Sequence, residues 1–241
     1  MWRDVVDLRD FYATGTGHIA RRMIWTQIRR LWPNLAGQSV LGVGYATPYL
    51  GPFRKEAART LALMPASQGA MPWLPQGPGL TALSEESELP FPDLSMERIL
   101  LVHGLEFSNH VRAMMREIWR VLADGGRLLV VVPNRRGIWA HFERTPFGHG
   151  SPYTTTQLSR LFRENMFTPV GTGQALFVPP TTSRVLLSSA PAWEKLGLRW
   201  FPTFAGVILM EASKQIYAVT PATSGQRRSY VPVSDSVSQR N

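Results

Sequence analysis

The sequence predicts an α/β fold: a parallel sheet with helices on both faces. Three observations carry this. The runs VLGVG at 40–44, TLALMP at 60–65, RILLVHGL at 98–105 and LLVVVP at 128–133 are apolar almost throughout, as strands buried on both faces are. They alternate with helical or crossing segments, which parallel neighbours require. The clearest helix, SNHVRAMMREIWRVL at 108–122, lies between two of these runs and places Val111, Met115, Ile118 and Leu122 on one stripe.

The remaining elements follow in order. Residues 17–32, GHIARRMIWTQIRRLW, carry Ala20, Ile24, Ile28 and Leu31 at helical spacing with arginines on other faces. This reads as a helix covering one side of the sheet; a basic helix touching a membrane or an acidic partner is the sharper alternative. Pro33 ends it, NLAGQS is a loop, and VLGVG is the first strand. A short helix fits 51–59, and TLALMP is the second strand. Residues 65–80 are too rich in proline and glycine for a regular helix and form a long crossing loop. LTALS supplies a short third strand before an acidic loop, and RILLVHGL is the fourth. The helix 108–122, with Ser108 or Asn109 as its cap, turns through ADGG into the fifth strand. Residues 134–156 are a polar, aromatic-bearing insertion, 155–165 a helix opened by threonines, and AWEKLGLRW a further helix. ALFVPP and AGVILMEASKQIYAV are two more strands, and 221–241 reads as a disordered tail on a domain spanning 1–220.

Composition narrows the function. The chain has 241 residues, 44% of them hydrophobic and 18% charged, in the range of globular domains. With no cysteine there is no disulfide, no cysteine-bound zinc and no thiol nucleophile; a cytoplasmic location is expected. No apolar run is long enough to span a bilayer. The net charge of +9 admits a nucleic-acid, anionic-lipid or acidic-protein partner, but no interleaved aromatic and basic stacking platform favours nucleic acid.

In such folds a ligand sits beyond the carboxyl ends of the strands, which gathers the loops after positions 44, 65, 84 and 104 around one crevice. VLGVGYATPYLG opens that crevice with a strand and a glycine-bearing turn. GVGYAT lacks the spacing of a dinucleotide fingerprint, so a nicotinamide-dependent dehydrogenase is disfavoured.

The segment LPFPDLSMERILLVHGLEFSNHVRAMMREIWRVLADGGRLLVVVPN resembles the centre of the class I S-adenosylmethionine-dependent methyltransferases of the small-molecule type. That resemblance extends over roughly residues 10–217. It implies a Rossmann-like, doubly wound, seven-stranded sheet, mostly parallel with a reversed last strand. It also implies S-adenosyl-L-methionine as cofactor and in-line methyl transfer to an unidentified small-molecule, lipid or protein acceptor.

The family's positions transfer as follows. Gly42, Gly44 and Tyr45 occupy the first motif, with Gly42 where the family has an acidic residue. Met64 stands where the family has the ribose-binding carboxylate. Glu85, with Glu86 beside it, falls at the adenine position. His103 and Gly104 would line the methionine end, with His103 also a candidate base. Tyr12 would fold over the cofactor. In the insertion, taken as a lid over the crevice, His141, Arg144, His149 and Tyr153 are candidate acceptor contacts; the two lid histidines have no metal-ligand spacing. The missing acids at 42 and 64 keep a second expectation open: a catalytically inactive methyltransferase fold serving as a binding or regulatory partner.

Overall fold

A computed structural model describes residues 4–73 and 79–215. Seven strands, β1 (Ser39–Gly44), β2 (Arg59–Pro65), β3 (Thr81–Ser84), β4 (Met96–Val102), β5 (Leu122–Pro133), β6 (Phe167–Ala175) and β7 (Val207–Lys214), form one sheet in the order β3-β2-β1-β4-β5-β7-β6. Strands β1 to β5 pair in parallel, whereas β7 runs antiparallel to both β5 and β6. The expected seven-stranded sheet with its reversed last strand is the observed one.

The near-continuous apolarity of the central strands has the expected cause. Along β4, Ile99 and Leu101 enter one core layer while Leu100 and Val102 enter the other; Leu128 through Val132 in β5 alternate in the same way. Side chains of a strand point to opposite faces in turn, so a strand covered on both sides needs apolar residues at every position. Helices α1 (Val5–Ala13) and α2 (Gly15–Leu31) belong to one layer, and α4 (Val111–Val121) and α5 (Thr155–Glu164) to the other.

Several expected boundaries shift. Residues 51–59 are a 3₁₀ turn at Phe53–Lys55, and the short helix α3 (Thr47–Leu50) precedes it, because Pro48 is well placed at a helix start. The strand expected at ALFVPP is β6, eight residues earlier; Pro169 and two glycines do not prevent it because β6 is an edge strand, partnered on one side only. Neither Ser108 nor Asn109 sits at the cap position of α4. Glu86 reaches over instead, its Oε1 accepting from the His110 amide at 3.1 Å and from Ser108 Oγ at 2.7 Å. The expected tail at 221–241 lies outside the described residues, as does the end of the last expected strand. Helices α6 (Arg184–Ser188) and α7 (Ala190–Trp200) sit between β6 and β7.

Helix α1 was not expected, and it shapes the site. FYATGTG is a corner between two helices: Thr14 is extended, and its Oγ1 caps α2 by accepting from the Gly17 amide at 3.0 Å. Position 17 requires glycine, since a Cβ there would meet the Phe11 carbonyl oxygen at 2.0 Å. The sharp corner folds α1 back along α2.

Candidate functional site

The loops beyond the carboxyl ends of β1, β2 and β4 meet as the topology requires. Gly44 turns the chain out of β1 at φ +75°, a conformation glycine adopts readily. A Cβ on it would stand 2.3 Å from the Val102 carbonyl oxygen and 3.1 Å from the Gly104 nitrogen, so the turns after β1 and β4 touch backbone to backbone. His103 follows β4 with φ +50°, an uncommon conformation for a residue with a side chain. That strain is held by the hydrogen bonds around the ring.

Those bonds form a continuous chain. The Tyr12 hydroxyl lies 2.9 Å from Tyr49 Oη and 2.9 Å from His103 Nε2, and His103 Nδ1 lies 3.1 Å from Glu106 Oε1. A carboxylate only accepts, so Nδ1 carries the proton that binds Glu106. On a neutral ring Nε2 then accepts from the Tyr12 hydroxyl, which accepts from Tyr49. Gln68 Nε2, from the loop after β2, donates to the His103 carbonyl. Burial raises the pKa of Tyr12 well above the ordinary tyrosine value, with the neighbouring Tyr49, Tyr45 and Glu106 adding to it; Tyr49 is raised by the same desolvation. Both phenols therefore remain protonated donors. Aromatic rings close around this chain: Tyr45 stacks on Tyr12 at 5.8 Å, and Phe147 lies 5.0 Å from the His103 ring and 5.5 Å from Trp139.

The structure thus brings together Tyr12, Gly44, Tyr45, His103 and Gly104, with Gly42 and Met64 beneath them. Gly42 faces the Ala46 and Leu50 side chains, and Met64 Sδ accepts from the Met71 amide. The other expected residues lie elsewhere. Glu86 is committed to the start of α4, and Glu85 is exposed, its carbonyl closing a turn with the Glu88 amide. His141 borders a groove with α7, and Arg144 borders a different one with Phe11 and Thr16. His149 Nε2 binds the Glu143 carbonyl at 2.7 Å. Tyr153 bridges to Asn134 just beyond the carboxyl end of β5, donating its amide to the Pro133 carbonyl; its phenol pKa is raised by burial and, secondarily, by the charge of Glu106.

Tyr49, Gln68, Glu106 and Phe147 complete the cluster without having been expected there. Two of them left a local trace: Tyr49 follows Tyr45, and Glu106 follows His103, at one-turn spacing. Gln68 and Phe147 reach the site only through tertiary folding.

A molecule of S-adenosylmethionine, implied by the resemblance, does not fit the methionine end of the crevice in this conformation. A cavity of that size would expose its walls. Yet Tyr12, Tyr45, Met64, Gln68, His103 and Glu106 are between 1% and 6% exposed. The space over β1 and β4 is filled by Tyr12 of α1 and the residues bonded to it. The adenine end is different: Ala66, Ser67 and Glu85 are exposed. One polar atom in the filled end lacks a partner. Glu106 Oε2 is buried without a hydrogen bond, and leaving such a group unpaired costs about 1–3 kcal/mol. Among the described residues no three His, Asp or Glu side chains stand together to hold a metal ion.

Residues 41–130 match the methyltransferase domain family. No curated protein matches the chain by sequence. Solved structures share the fold across most of its length. A possible histamine N-methyltransferase of Thermotoga maritima is 15% identical with a TM-score of 0.63, over 89% of this chain and 97% of that one. A putative methyltransferase of Haloferax volcanii, solved with the Trm112 methyltransferase activator, is 16% identical at 0.62, over 88% and 98%. The [4+2]-cyclase SpnF is 18% identical at 0.56, over 82% of each chain. S-adenosylmethionine is the cofactor this family implies. The family match over residues 41–130 and the strand order together make the chain similar to the S-adenosylmethionine-dependent methyltransferases, whose fold it shares.

Proposed function

We propose that this chain is an S-adenosylmethionine-dependent methyltransferase whose cofactor crevice opens when α1 withdraws Tyr12. The acceptor is a small molecule, lipid or protein that the residues do not identify. One observation supports the reading beyond the family match: the plug in the methionine end is a hydrogen-bonded polar chain of Tyr49, Tyr12, His103 and Glu106 rather than packed apolar side chains. Glu106 Oε2, one of eight buried side-chain atoms without a partner among the described residues, could take the ammonium of an amino-acid ligand once Tyr12 moves. The corner at Thr14 gives α1 a natural hinge, since Thr14 is the single extended residue joining two helices.

A second reading is favoured by the filling itself. The acids expected at 42 and 64 are absent, and side chains occupy the place of the ligand's amino-acid end. On that reading the fold serves as a binding or regulatory partner. The similar Haloferax volcanii putative methyltransferase was solved with a methyltransferase activator, which supports a protein partner for this chain under either reading.

Calorimetric titration with S-adenosylmethionine and S-adenosylhomocysteine separates the two, using the full chain and its Tyr12→Ala variant after any carried-over ligand is removed. Binding at micromolar affinity by the wild type, about −8 kcal/mol, supports the enzyme. Binding by the variant alone supports a closed enzyme that α1 must release. Binding by neither, with both folded, overturns the proposal in favour of the scaffold.

A further inference from the structure

Helix α7 is turned the opposite way from an ordinary surface helix. The residues it buries are Ala190, Glu194 and Gly197. The Glu194 carboxylate accepts from the Phe177 amide at 2.8 Å, and Gly197 lies so close under Phe177 that a Cβ would meet the ring at 2.2 Å. These contacts fix the helix's rotation. The large apolar residues Trp193, Leu196 and Trp200, spaced three and four apart, consequently point outward, and the following turn adds Phe201 and Phe204. All five are between 40% and 63% exposed. Four of them border a groove of about 470 Å³ closed on its far side by Ile138 and Arg136. A contiguous exposed apolar surface on a folded domain marks an interaction site.

The charges around this surface select the partner. Glu194 is the only acid in 184–204, and it is buried. Lys195 and Arg199 are exposed on the same helix, with the Arg199 guanidinium 5.7 Å from the Trp200 ring. Arg136 stands across the groove, and Arg135, next to it in the chain, is exposed. Pairing with a second copy would bring these cations against one another. Outward tryptophan and phenylalanine, rimmed by cations and free of exposed acids on their own helix, match the boundary between headgroups and acyl chains of an anionic bilayer.

We propose that α7 and the turn at Phe201–Phe204 dock the protein onto an anionic lipid surface, lying in the interface rather than crossing it. Among the described residues no helix is long and apolar enough to cross a membrane. This proposal stands independently of the reading of the crevice.

Vesicle co-sedimentation of the full chain tests it, comparing vesicles of pure phosphatidylcholine with vesicles that also contain phosphatidylglycerol. The expected result is binding to the mixed vesicles with a blue shift of tryptophan emission, weakening as salt rises, and much less binding to the neutral ones. Combining Trp193→Ser, Trp200→Ser and Phe201→Ser should reduce binding by at least about ten-fold, as should combining Lys195→Glu with Arg199→Glu. Because these side chains are exposed, each variant's melting temperature should remain within ~2 °C of wild type. Failure of the folded wild type to bind mixed vesicles overturns the proposal, as does undiminished binding by either variant. Concentration-dependent self-association that the triple variant abolishes, without vesicle binding, assigns the face to a second copy instead.

Discussion

The crevice over β1 and β4 and the outward face of α7 are both built largely from aromatic side chains, but they meet water in opposite ways. In the crevice Tyr12, Tyr45, Tyr49 and Phe147 close on one another around a hydrogen-bonded histidine. On α7 the rings of Trp193, Trp200, Phe201 and Phe204 remain in solvent. The crevice is therefore the better sealed of the two, and the rings open to water lie elsewhere, on α7 and the turn after it. Aromatic content alone does not locate a binding site; what distinguishes the regions is whether the rings already have partners.

The comparison can be broken most severely at Gly44. Gly44→Ala puts a side chain at positive φ and drives its Cβ against the Val102 carbonyl, so it should destabilise the fold by on the order of 3 kcal/mol or more. Urea unfolding would measure this, and a loss below about 1 kcal/mol would show that the two turns are not locked together.

Glu194 sharpens the α7 side. Burial pushes its carboxyl up to about 7, despite the amide bonds it accepts. The sign follows from proton counts. Between about 4.5 and 7 the folded state keeps a proton that the unfolded state has lost, so stability falls as pH rises through this window. Below it the carboxyl is protonated in both states and the penalty vanishes; above 7 the penalty is complete, at most about 3 kcal/mol. Glu194→Gln should therefore raise the urea midpoint at pH 8 and leave it nearly unchanged at pH 4. A variant less stable than wild type at pH 8 would contradict this.

Tyr12→Phe tests the plug. Removing the hydroxyl strips a partner from both Tyr49 and His103 and should cost about 1–3 kcal/mol. Hydrogen exchange should show α1 opening more readily; unchanged protection of Leu8 to Tyr12 would mean that packing alone holds it. The smallest effect belongs to the exposed face, where Trp200→Ser should change stability by no more than about 0.5 kcal/mol. A larger loss would mean that the ring supports the fold.

Much of this architecture was legible in the residues. Apolar runs covered on both faces, the stripe of α4 and the glycine turn after β1 are local signals, and they led to the observed sheet. The misplacements also have physical causes. Tyr12 was expected near the crevice, but not that its hydroxyl would be bonded to His103 and so occupy it. Glu86 reads as a ligand contact beside Glu85, yet its carboxylate is consumed by the orphan amide at the start of α4. β6 was misplaced because an edge strand, half-exposed and interrupted by glycine and proline, lacks the dense apolar signal of the central strands.

By itself the sequence determined the class of fold, the central strands and the helix between β4 and β5, the absence of thiol chemistry and the loss of acids at positions 42 and 64, because each is written in residue type and local spacing. Only the tertiary structure decided that Tyr12, Gln68 and Glu106 converge on His103, and that α7 turns its apolar face outward. Residues far apart in the chain meet only after the sheet assembles, and a helix's rotation is set by the contacts that pin it, here Glu194 and Gly197 against Phe177.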